Sequence, residues 1–127
     1  MREKKRIFQI EIVVALLLIA LLWVGAAFKL ENIKTQAQRN ISIRNRVRLM
    51  DAIAVYRGDN KGRCPDNLED LLKEHADKIH EAYDRHGNKS NAVKNGAYSK
   101  VFDGSGGWIY INDPADPKYC TVEHNVL

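Results

Sequence analysis

The sequence predicts an α+β chain with a long N-terminal helix, a short second helix and a three-stranded antiparallel sheet. Three observations lead there. Residues 7–28 (IFQIEIVVALLLIALLWVGAAF) form an apolar run broken by one charge, Glu11. No Pro or Gly falls between Gly25 and Gly58, so nothing stops a helix from continuing out of that run. The last third changes to short aromatic and β-branched runs separated by Gly, Asp and Pro.

The helix begins behind a basic tag, residues 1–6 (MREKKR), expected to be cytoplasmic. At about 1.5 Å per residue, the 22 residues of 7–28 extend on the order of 33 Å, enough to cross the hydrocarbon core of a bilayer. A carboxylate at the centre of such a span costs roughly 2.5–3.5 kcal/mol, and less near its edge, where Glu11 lies. A charge retained there calls for a partner. Two plainer readings stand beside a functional one. The run is a cleaved signal ending at Gly25-Ala26-Ala27, or an ordinary signal anchor in which Glu11 reaches for the interface. The Lys and Arg residues before the span favour a cytoplasmic N-terminus, but six more follow within twenty residues on its other side.

Residues 29–57 read as an amphipathic stem. Ile43, Val47, Met50 and Ala54 make one apolar stripe, and Leu49, Ile53 and Tyr56 a second, rotated from the first. Two stripes predict a helix that packs on its own head with one side and on something else with the other.

Residues 58–127 are the expected head. Gly58-Asp59-Asn60-Lys61-Gly62 breaks the helix, and Asp66 and Glu69 have capping-box spacing for a short helix over about 67–82. Residues 84–96 read as polar loop. Residues 97–102, 107–111 and 118–124 read as three strands of a meander. Such a small head usually needs a staple or a neighbouring subunit. Cys64 and Cys120 are candidates for a disulfide if the head is exported and two reduced thiols if it is cytoplasmic.

The net charge of +4 conceals an asymmetry: residues 29–63 carry +6 and residues 64–127 carry −4. The stem arginines Arg39, Arg44, Arg46, Arg48 and Arg57 suit phosphates of DNA or lipid, or the acidic head of a neighbouring subunit; the second is preferred and nucleic acid is not expected. The four histidines have no zinc-site spacing, and no nucleophile–base constellation is legible, so the chain is not expected to be an enzyme. Asp103, Asp113 and Asp116 offer oxygen ligands for Ca²⁺.

The segments YRGDNKGRCP (residues 56–65), LEDLL (68–72) and GGWIYIN (106–112), set behind a basic tag and an apolar helix with an early Glu, resemble those of type IV pilin-like proteins. The closest similarity is to the major, G-like pseudopilins of type II secretion, and it covers nearly the whole chain. The resemblance implies a subunit anchored in a bacterial inner membrane with its head outside the cytoplasm, partnered by itself, by other pilin-like subunits and by an inner-membrane assembly platform. It implies a filament bundled through the N-terminal helices. Ile7 would be the mature N-terminus, and Glu11 the assembly carboxylate that pairs with a neighbour's free amine. It also implies a calcium site near the hairpin loops. The sequence departs from the family in four places: Arg6 stands where the prepilin peptidase needs Gly, Ile7 replaces Phe, Phe28 replaces the kinking Pro, and Cys64 replaces Tyr.

Overall fold

A computed structural model of the chain describes residues 2–127. They divide into two compact units, one ending at Gln36 and the other Ala37–Leu127. One helix, α1 (Arg2–Asp59), supplies every described residue of the first unit and the start of the second. The uninterrupted run without Gly or Pro after Gly25 accounts for its length. Through Gln36 every described side chain is exposed, although most between residues 7 and 28 are large and apolar. Among the described residues, α1 is the one helix long and apolar enough to cross a membrane.

Within the second unit, the later turns of α1 bury Ser42, Asn45, Leu49 and Ile53, which recur at three- and four-residue steps along one face. Leu49 and Ile53 therefore belong to the stripe that enters the head, with Tyr56 half-buried beside them. Ile43 and Val47 of the other stripe stay exposed. The core joins Leu49 and Ile53 to Leu68, Leu71, Trp108, Tyr110 and Val122.

The second helix is shorter and tighter than expected. It is a 3-10 helix, Leu68–Lys73, and residues up to Glu81 continue without regular structure. Leu68 and Leu71, three apart, eclipse in a 3-10 turn and both enter the core, whereas Leu72 is left largely outside. The cap is Asn67 rather than Asp66: the Asn67 N–H donates to the Asp70 carboxylate at 3.1 Å, while the Asp66 carbonyl accepts from Asn112.

The predicted loop over 84–96 holds strand structure. Strands β1 (Ala82–Tyr83) and β2 (Lys89–Ser90) form an antiparallel hairpin, and β3 (Val93–Asn95) enters the main sheet. That sheet has three strands in the order β3-β4-β5, with β4 Trp108–Ile111 and β5 Thr121–His124. It is mixed rather than wholly antiparallel, because β3 runs parallel to β4 and only β4–β5 is antiparallel. The twelve residues between β3 and β4 are long enough for a crossover, which parallel pairing requires. The first predicted strand, residues 97–102, is instead the single-turn helix α2 (Tyr98–Val101). Its apolar residues Tyr98, Val101 and Phe102 also fit helical spacing. The Asp116 carboxylate accepts the Tyr98 N–H at 2.9 Å, and the rings of Tyr98 and Phe102 stack at 5.1 Å. Flanked on both sides, β4 is buried along its entire length, which explains its run of four apolar residues.

Candidate functional site

Glu11 lies on α1 with Ile7 and Phe8 one turn before it and Val14 and Ala15 one turn after. All are exposed, and among the described residues the Glu11 carboxylate takes part in no ion pair or hydrogen bond. A carboxylate held on an otherwise apolar helical surface can accept hydrogen bonds only from outside the chain: from water, a lipid headgroup or a cation on another molecule. An ammonium or guanidinium fits best if the surface leaves water, because each charge then offsets the desolvation of the other. Ile7 lies one helical turn before Glu11 on the same face.

The head is fastened to its stretch of α1 by polar side chains that continue the Leu49–Ile53 face toward the N-terminus. Asn45 donates to the Glu81 carbonyl at 2.8 Å, and Ser42 accepts the Tyr83 N–H at 2.9 Å. Arg46 donates to the Val122 carbonyl at 2.6 Å and pairs with Glu123 at 3.1 Å. Arg46, expected to meet phosphates or a neighbouring subunit's acidic head, pairs instead with the acidic head of its own chain, and Ser42 and Asn45 were not anticipated. All three continue the helical spacing of Leu49 and Ile53, a signal that stripes of apolar residues alone do not carry.

Cys64 and Cys120 are joined by a disulfide, with Cα atoms 5.8 Å apart. The bridge ties the turn after α1 to the residue preceding β5, where the Cys120 N–H donates to the Ile111 carbonyl. Tyr110 strengthens the same corner by donating its hydroxyl to the Pro65 carbonyl at 2.6 Å, and burial pushes its pKa up.

The three calcium candidates are each committed to backbone or side-chain partners. The Lys94 ammonium, then the Asn125 amide and Ser105, hold the Asp103 carboxyl well below the usual carboxylate range. Asp113 accepts the Ala115 N–H at 2.9 Å. Asp116 accepts the N–H groups of Lys118 and Tyr98, which lower its pKa. Among the described residues, no three His, Cys, Asp or Glu side chains gather in a metal-binding arrangement.

The histidines are likewise separate. His75 Nε2 lies 2.8 Å from the Asp59 carboxylate, with its ring edge-on to Tyr56. The His80 carbonyl accepts the Trp108 indole N–H at 2.6 Å. His124 packs on Trp108 across the β4–β5 ladder, with ring centroids 5.5 Å apart. Asn125 was not anticipated at all, yet it is fully buried and organises the turn after α2. Its side-chain oxygen accepts from the N–H groups of Asp103 and Gly104, and its amide donates to Asp103, Ser105 and Gly106.

No protein-family model, no curated protein and no solved structure matches the chain.

Proposed function

We propose that the chain is a structural subunit of a pilus- or pseudopilus-type filament, of the type II secretion kind and divergent or minor within it, with a mechanical rather than an enzymatic role. One observation carries this reading. A single helix presents an apolar surface with one early carboxylate through its first unit, then buries one face in a small disulfide-bonded α+β head. In this reading residues 7–28 span the inner membrane, the head is outside the cytoplasm, and the subunit leaves lipid to bundle against identical helices. Glu11 then exchanges its contact with water or lipid for a cation on a neighbour and fixes the register between otherwise slippery apolar surfaces. The disulfide supports placement of the head in an oxidising compartment.

A second reading has its own support in Arg6. Without Gly before Ile7 the tag stays attached, Ile7 carries no free amine, and the chain is a non-polymerising membrane-anchored domain. Two measurements separate the readings. Intact mass of the membrane-extracted protein gives a chain starting at Ile7 in the first and one that includes Arg6 in the second. Glu11→Ala leaves membrane insertion intact and removes the protein from the sheared filament fraction; normal incorporation of that variant would count against the filament reading.

A further inference from the structure

The β1–β2 hairpin runs along α1 toward the N-terminal end of its unit. Three contacts within the second unit set its course. Asn45 donates to the Glu81 carbonyl at 2.8 Å, Ser42 accepts the Tyr83 N–H at 2.9 Å, and Gly87 lies against Gln38. As residue numbers rise along the hairpin from 81 to 87, their partners on α1 fall from 45 to 38. Gly87 is suited to the close approach: its φ is +82°, and a Cβ there would lie 3.2 Å from the Gln38 amide nitrogen. The opposite end of the helix in this unit is marked by His75 beside Asp59, 21 residues beyond Gln38.

The hairpin tip engages its carboxylates and leaves its arginine free. The Asp84 carboxylate accepts the His86 and Asn88 N–H groups at 2.8 and 2.9 Å and the Asn88 side-chain amide at 3.1 Å. At the base, Glu81 pairs with Lys89 at 3.2 Å. Arg85 and His86 are exposed, and among the described residues neither side chain takes part in an ion pair or hydrogen bond. Arg39, next to Gln38 on α1, is exposed and equally unpaired among the described residues. Free guanidinium groups on a loop held in one shape suit an anion with several oxygens, since each binds phosphate through two parallel N–H donors.

We propose that Arg85 and His86 at the hairpin tip, with Arg39 beside it, bind anionic phospholipid headgroups of the membrane that residues 7–28 span. The proposal rests on that span, which both functional readings share, and it needs no second copy of the chain. Gln38 follows Phe28 by ten residues of the same helix, about 15 Å of rise. The headgroup layer occupies roughly 5–8 Å of that length. An extended arginine side chain and a helix tilt of about 20° close the remainder. The charges are few and screened by salt, so the contact is reversible. It steadies the head on the bilayer while the helix is in lipid and releases it when the helix leaves.

The test uses the full chain in vesicles containing phosphatidylglycerol or phosphatidylcholine that carries a photoreactive diazirine on its headgroup. Adducts are mapped by peptide mass. Both lipids are expected to label residues 29–34, just past the span, and neither to label Glu74. Residues 84–88 are labelled by phosphatidylglycerol and about five-fold less, or lower still, by phosphatidylcholine. Salt at about 1 M removes the hairpin adducts and leaves those at 29–34. Arg85→Glu lowers hairpin labelling by phosphatidylglycerol about five-fold or more, whereas Arg85→Lys retains it. A urea midpoint equal to the parent's shows that both variants are folded. Labelled 29–34 with an unlabelled hairpin in anionic vesicles would overturn the proposal and leave the span standing. Hairpin labelling that is equal from the neutral lipid, or that survives Arg85→Glu, would overturn it as well. An unlabelled 29–34 would refute the span, and the hairpin contact falls with it.

Discussion

Gly107 shows how a single residue decides the geometry of the sheet entrance. Its φ is +74°, and a Cβ built there would collide with the Ala92 carbonyl, the group that accepts the Trp108 N–H at 2.8 Å to open the parallel pairing. Neither the dihedral nor the clash can be relieved without separating β3 from β4, so Gly107→Ala is expected to cost about 2 kcal/mol or more, read as a lower urea midpoint at unchanged slope. His124 makes a different argument. Burial lowers its pKa, against the opposing effects of the Tyr83 backbone and the Asp84 carboxylate, and burial likewise lowers that of His80. A folded state that prefers neutral imidazole keeps this stability in full above the unfolded value of about 6.5 and loses it as pH falls through 6.5 toward the lower folded pKa. The depressed carboxylates Asp103 and Asp116 act in a separate window, losing their contribution only as pH drops below about 3.8. The urea midpoint should therefore decline between about pH 7.5 and about pH 5.5, and His124→Gln should flatten that decline without removing it, because His80 remains. An unchanged slope in the variant would assign the effect elsewhere.

The elements divide sharply by how their partners are specified. The long helix was legible because its determinants are local: continuous helix-compatible residues, then Gly58–Gly62 as a stop. Strands β4 and β5 were legible for the same reason, with Gly106-Gly107 ahead of one and a Pro-containing turn ahead of the other. The rest depends on contacts far apart in sequence. Residues 97–102 carry the aromatic and β-branched residue types of a strand but place Tyr98, Val101 and Phe102 at helical spacing, and the Asp116 cap and the Tyr98–Phe102 stack hold the helical turn. Strand β3 has no strong β signature; its order comes from the free edge of β4. For the candidate site, Glu11 and the cysteine pair were readable by type and position, whereas Asn125 and the Ser42–Asn45–Arg46 attachments take their importance from backbone groups that no pattern in the sequence marks. The disulfide carries the clearest expectation at this scale. It joins positions 56 residues apart, for which loop closure in the unfolded chain corresponds to ~4 kcal/mol. Cys64→Ser with Cys120→Ser should lower head stability by about that amount, a large share of what a domain this small commands. A midpoint equal to that of the oxidised parent would mean that the core holds the corner without the bridge.

At the scale of the whole molecule, charge and redox chemistry bear on the same question of sidedness. Cations flank the apolar run on both sides, so the positive-inside tendency is weak evidence here. The cysteine pair is more informative, because a bridge between distant residues of a small domain persists only where thiols are oxidised. Orientation with the tag inside and the head outside predicts a specific pattern in spheroplasts. An impermeant thiol-reactive polymer leaves the protein unshifted on a gel until a reductant is added, when both Cys64 and Cys120 react. Trypsin added to spheroplasts cuts the exposed Arg85 and Lys89 region without lysis and leaves an N-terminal fragment in the membrane. The opposite orientation reverses every readout: the thiols react only after lysis and need no reductant, and protease reaches the tag at Lys4, Lys5 and Arg6 but not the head. Because the tag side and the head side are scored in one preparation, a protected head cannot be mistaken for a resistant one.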